Sequence, residues 1–116
     1  MRETINGFEV LIISNLYFLL FTAKCVYYGE PGSTGELTAT GERFNPMGLT
    51  CSALPHLPFN SYIEVTNQRT GRSITVRVND RFGAPPGEDT IDLTYGAFGH
   101  LADHDDGVFP CSYNVL

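Results

Sequence analysis

Residues 64–82 read EVTNQRTGRSITVRVNDRF, from Glu64 through Asn67, Gly71, Ser73 and Asp80 to Phe82. The stretch divides into two arms of alternating character around Gln68-Arg69-Thr70-Gly71-Arg72. In the first arm, Ser61 to Asn67, Ile63 and Val65 share one face; in the second, Ser73 to Asn79, Ile74, Val76 and Val78 do. A period of two with a glycine-containing loop between the arms predicts a β-hairpin, Gly71 taking the positive φ that such a loop needs. Asp80 continues the parity of Val76 and Val78. Two readings follow. Either a carboxyl group ends a core-facing row and is desolvated or aimed into a groove, or the strand stops at Asn79 and Asp80 starts a turn toward Arg81, which spacing alone favours.

Working outward, the chain keeps the same character. Cys25 to Gly29 and Thr50 to Leu54 read as short strands, and residues 31–48 as a Gly-, Thr- and Pro-containing loop. Beyond the Pro-rich Ala84 to Gly87, the run Thr90-Ile91-Asp92-Leu93 is a strand with Ile91 and Leu93 on one side and Asp92 on the other. Thr94 can cap a brief helix from Tyr95 to Ala102, which Gly96 and Gly99 weaken, so that packing of Phe98 and Leu101 must hold it. The acidic turn Asp103-His104-Asp105-Asp106-Gly107 leads to a closing strand, Cys111 to Leu116. His100 and His104 beside these acids match no metal-ligand spacing, and no metal or cofactor is expected.

The N-terminal part differs. Arg2, then an apolar run from Val10 to Phe21, then Thr22-Ala23-Lys24, reads as a signal-like or anchor segment over residues 1–24, too short for a membrane helix of about 20 residues. Its charges cancel, so the formal −6 of the 116-residue chain falls on residues 25–116, which contain no lysine. That balance disfavours nucleic acid as a partner. Cys25, Cys51 and Cys111 allow three pairings, each leaving one thiol; in an exported chain one disulfide involving Cys111 is expected.

Five segments in order carry a resemblance: VYYGE (Val26 to Glu30), TATGERFNPMGLT (Thr38 to Thr50), LPFNS (Leu57 to Ser61), the hairpin through NDRF, and IDLTYGAF (Ile91 to Phe98). Together they resemble the RlpA-like (rare lipoprotein A-like) double-psi β-barrel domain, related more distantly to expansins and barwin-like proteins. The resemblance implies an all-β fold: a six-stranded double-psi β-barrel with one short helix over residues 25–116, preceded by the N-terminal apolar segment. It further implies a groove for peptidoglycan glycan and lytic transglycosylase (lyase) activity, with Asp80 as general acid/base and Glu42 assisting. The alternative is a non-catalytic, expansin-like polysaccharide-binding or wall-loosening module. Taken without the resemblance, Glu42 reads as a solvated loop residue.

A histidine that the family often carries before its LPF segment falls here at Ala53; the nearby imidazole, His56 after Pro55, is the third catalytic candidate, a one-residue insertion letting it fill that role. Tyr28 and Phe82 are the expected stacking platforms for sugar rings, with Arg81 as a polar partner, while Phe44, Phe59 and Phe98 are expected in the core. The implied protein is a monomer exported to the periplasm, cell envelope or exterior, with membrane attachment possible through residues 10–21.

Overall fold

Alternating apolar residues build the strands, and their pairing closes them into a barrel. The computed structural model describes residues 1–116 except 6, 14–15, 33–35, 54–55 and 82–88, and only the backbone of residues 5, 13 and 16–19. The elements are β1 (Arg2–Ile5), β2 (Phe8–Ile13), β3 (Leu16–Tyr28), β4 (Thr50–Ser52), β5 (Tyr62–Asn67), β6 (Ser73–Asp80), β7 (Thr90–Thr94), α1 (Tyr95–Leu101) and β8 (Phe109–Val115). Strand order β3-β7-β4-β6-β5-β8 is closed by pairing of β8 back onto β3, which makes a six-stranded double-psi barrel without free edges. Two of its pairings, β3 with β7 and β4 with β6, are parallel.

The hairpin of the 64–82 stretch is present as β5 and β6, with Ile63 opposite Val76 and Val65 opposite Ile74. Gly71 has φ +79° and its N–H donates to Asn67 O at 2.8 Å. Ile63, Val65, Val76 and Val78 are fully buried with Ile91, Leu93, Phe98, Leu101, Phe109 and Tyr113. Thr94 caps α1 by accepting from Ala97 N at 3.1 Å, and the weak helix is held by its buried Phe98 and Leu101. Cys25 and Cys111 form a disulfide between β3 and β8, and Cys51 is a buried free thiol.

Three expectations change. The first barrel strand does not begin at Cys25: β3 starts at Leu16, and Phe21 to Lys24 pair with Tyr113 to Pro110 of β8, because this part of the apolar run finds an antiparallel partner. Residues 10–13 thus fall in β2 and residues 16–21 in the start of β3, and among the described residues no helix is long and apolar enough to cross a membrane. Phe59 is not in the core but 39% exposed, with the Arg81 guanidinium 4.0 Å from its ring centroid, since Arg81 draws it to the surface as a stacking partner. Finally, β6 does not stop at Asn79. Asp80 is its last residue, paired with Ser52 of β4.

Candidate functional site

A β-bulge decides where Asp80 faces. Cys51 pairs with Val78 and Ser52 with Asp80, so Asn79 is an extra residue on β6. Adjacent Cys51 and Ser52 point to opposite faces, and Cys51 is in the core. Asp80, aligned with Ser52, therefore leaves the row of Val76 and Val78 and joins the outer face. Asp92 of β7 also pairs with Ser52, and Val26 of β3 pairs with Asp92. Across four strands the outer row is Val26, Asp92, Ser52, Asp80, and the row beneath it is Tyr27, Leu93, Cys51, Val78. The two aspartates stand two inter-strand spacings apart, about 10 Å between their Cα atoms. Tyr28 lies one step along the Asp92 face of β3, paired with Thr94.

Polar atoms on this face are left without partners. Tyr28 Oη, Ser52 Oγ and Asp92 Oδ1 are all buried and make no hydrogen bond. Burial, and then the charge of Asp80, push the Asp92 carboxyl up to about 6. Burial first, then Asp80 and Asp92, raise the Tyr28 hydroxyl well above the usual tyrosine range. Unsatisfied buried polar groups are costly, and a cluster of them beside two carboxyl groups is the arrangement expected of a site that a ligand completes.

Asp80 is oriented by main-chain donors. Its Oδ1 accepts from Ala39 N at 3.1 Å and from Arg81 N at 2.9 Å. Ala39 is delivered by a strap over residues 36–44 in which Leu37 bridges Arg43 and Gly41 turns the chain at φ +87°. Thr40 N of the same strap donates to Asn79 O at 3.3 Å. The depression beside Asp80, about 260 Å³, is lined by Tyr28, Gly29, Glu36, Leu37 and Phe44. Tyr28 stacks on buried Phe44 at 5.1 Å between centroids, so one ring face of the expected sugar platform is occupied.

Glu42 lies elsewhere. Its carboxylate makes a bidentate pair with Arg77, at 2.7 and 2.8 Å, and accepts from Thr40 Oγ1 at 3.0 Å. The Arg77 hydrogen bonds above all hold it down at about 2, against a smaller opposing effect of burial. It lines a separate depression with Asn45, Leu49, Tyr62 and Arg77. Glu42 and Asp80 are thus fixed by one strap but do not share a pocket.

His56 is exposed, and its Nε2 is 3.1 Å from Tyr113 Oη, which in turn donates to Asp89 Oδ2 at 2.6 Å. It makes no hydrogen bond to Asp80. Ala53, at the family's histidine position, is fully buried, its N–H donating to Asp80 O at 3.2 Å. The Arg81 guanidinium donates to Leu57 O at 2.6 Å and more weakly to Ala53 O at 3.4 Å, so it is engaged by main-chain carbonyls. Phe82, the second expected platform, lies outside the described residues, as do Pro55 and residues 83–88.

Asp92 is the residue that sequence reasoning passed over. A signal was available: β7 is buried at Thr90, Ile91, Leu93 and Thr94, and its sole charged residue is Asp92. A lone carboxyl group in a strand covered on both faces calls for a partner or a purpose.

A sequence profile of the family described as "Lytic transglycolase" matches residues 22–113. The chain is 44% identical over 99 residues to a Nostoc protein named "Probable endolytic peptidoglycan transglycosylase RlpA", covering 84% of this chain and 26% of the relative. It is 51% identical over 97 residues to the Yersinia pestis "Endolytic peptidoglycan transglycosylase RlpA", again 84% of this chain and 26% of the relative. The chain therefore spans about a quarter of the length of these curated relatives. Among solved structures, the apo expansin of Clavibacter michiganensis superposes with TM-score 0.67 at 17% identity, over 84% of this chain and 50% of that one, a likeness of fold.

Proposed function

The chain belongs to the lytic transglycolase family of double-psi β-barrels, and from that premise we propose that it binds peptidoglycan glycan strands and cleaves them as an endolytic transglycosylase, with Asp80 and Asp92 as the working carboxyl groups. The observation that carries the reading is the outer row Asp92-Ser52-Asp80, with Asp92 Oδ1, Ser52 Oγ and Tyr28 Oη buried and unpartnered around it.

Breaking a glycosidic bond needs a proton on the leaving oxygen and negative charge near the sugar carbon. Asp92, held protonated up to about pH 6, suits the donor role. Asp80, oriented by two main-chain N–H groups, suits the anionic one. Asp92 gives its proton to the leaving oxygen as the C–O bond breaks; a hydroxyl of the same sugar attacks the anomeric carbon, and Asp80 takes that hydroxyl's proton. The product is an anhydro sugar end, and no water is consumed. Glu42, ionised and paired with Arg77, is a positioning residue that anchors the strap presenting Ala39 N to Asp80. The reading carries with it export to the cell envelope, residues 10–21 providing the targeting or membrane-attaching stretch. It also takes the working form to be a monomer.

Peptide-free glycan strands incubated with the protein should yield anhydro-ended products by mass spectrometry. D80N and D92N should each lower their formation by at least about a hundredfold, the scale of general acid–base assistance. Equal product from wild type and D80N would refute the assignment. A non-catalytic, expansin-like binding module is the second reading, favoured by Ala53 at the family's histidine position and by the engagement of His56 with Tyr113. Retention on insoluble glycan with no released product from wild type would select it.

A further inference from the structure

The outer face that holds Asp92 continues along β3 into a second cleft. Lys24 pairs with Thr90 two residues before the Val26–Asp92 pair, about 7 Å along the strands, a step that one further sugar ring can bridge. There a cleft of about 480 Å³ opens, lined by Lys24, Arg69, Asp89, Val108, Phe109 and Pro110 among others. Three features make it a candidate binding site. It gathers two cationic side chains, Lys24 and Arg69, in a chain whose formal charge is −6. The Arg69 guanidinium, on the exposed β5–β6 turn, makes no hydrogen bond or ion pair among the described residues. Asp89 is fixed by Tyr113, which donates to its Oδ2, while its Oδ1 is buried and has no partner.

We propose that this cleft is a carboxylate subsite of the glycan-binding face, taking a sugar unit that bears a free carboxylate together with an amide or hydroxyl donor. The inference rests on the glycan reading above and adds which sugars are preferred. The planar, always-charged guanidinium of Arg69 suits a carboxylate, with Lys24 adding charge on the same side. Asp89 Oδ1 accepts from the donor group, and Val108 and Pro110 offer apolar surface to the C–H face of the ring.

The test is a comparison of two polymers with the same β-linked amino-sugar backbone, measured by calorimetry with full-length D80N protein so that nothing is cut. Peptide-free peptidoglycan strands carry a lactyl carboxylate on alternate sugars, whereas chitin oligosaccharides carry none. The carboxylated polymer should bind about 3- to 10-fold more tightly, the range of a partly exposed charge-assisted contact. The preference should shrink with added salt. R69Q, and separately K24Q, should bring the ratio toward one with chitin affinity unchanged. Equal affinity for the two polymers, or an R69Q protein that melts normally and loses both equally, overturns the proposal. Should neither polymer bind even to wild type, the glycan reading falls and the subsite with it. Cleavage that persists in D80N removes only the catalytic assignment, because the binding ratio is then still measurable at short times.

Discussion

Replacing Asp92 by asparagine should make the barrel more stable at neutral pH while removing cleavage. The carboxyl's ordinary value of 3.8 is pushed up to about 6 by burial and by Asp80. Below pH 3.8 the group is protonated in both folded and unfolded chains, and the shift has no effect. Between the two values the unfolded chain ionises and the folded one does not, so wild-type stability falls as pH rises; above about 6 the whole penalty is present. Two pH units correspond to about 3 kcal/mol at most. Asp92 is only half-buried, and solvent screening reduces this to about 1–2 kcal/mol. Asparagine keeps the shape and carries no charge. The difference in unfolding free energy between D92N and wild type, from urea titrations at intervals between pH 4 and 8, should start near zero and reach about 1–2 kcal/mol by pH 7. In a domain of this size that is a rise of about 4–8 °C in melting temperature. A difference that does not change with pH, or a D92N protein less stable than wild type at pH 7, would refute the reasoning. D80N should flatten part of the wild-type slope, since the charge of Asp80 is the second cause of the shift.

The same titration bears on activity: cleavage should fall about tenfold per pH unit above about 6 as Asp92 loses its proton, read from initial rates of anhydro-product formation. E42Q should cost about 0.5–1 kcal/mol at pH 7, as partly exposed ion pairs do. Because Glu42 is held at about 2 from an ordinary 4.5, this contribution is present above 4.5 and disappears as pH falls toward 2, so the wild-type and E42Q melting curves should converge in acid. The midpoint of the activity profile near pH 6 should not move in E42Q. C25S together with C111S opens a loop spanning 86 residues and should lower stability by about 2–4 kcal/mol in denaturant titrations. Wild type should show a single reactive thiol, Cys51, and only after unfolding.

Much of the barrel could be read locally. The arms of the 64–82 hairpin, the Thr94 cap and the sidedness of Ile91, Asp92 and Leu93 depend on neighbours in the chain, and short-range patterns report them. What escaped depends on partners distant in sequence. The bulge at Asn79 exists only relative to β4, so the parity of Val76, Val78 and Asp80 pointed the carboxyl inward. The ion pair of Glu42 needed Arg77, 35 residues away, and nothing in the loop sequence announces it. An apolar run such as Val10 to Phe21 looks alike as a signal segment and as strand, and pairing with β8, at the far end of the chain, is what gives Phe21 and its successors strand geometry. Asp92 was in plain view on the correct side of its strand, but recognising it required the burial of Ser52 and Tyr28 around it.

The aim of Asp80 is set by a count of residues and by no side chain. A relative could keep every motif letter, gain one position between Cys51 and Ser52 that pairs with Asn79 and straightens the ladder, and send its acid into the apolar interior with Val76 and Val78. Scoring identities would rate such a chain nearly unchanged, whereas placing the gap correctly would mark it as inactive. Inserting one alanine after Cys51 in this protein makes that silent lesion on purpose. The lengthened protein should bury a carboxyl group beside Val76 and Val78, melt at a much lower temperature, and release no anhydro sugar, although all of the proposed acid–base groups are still encoded.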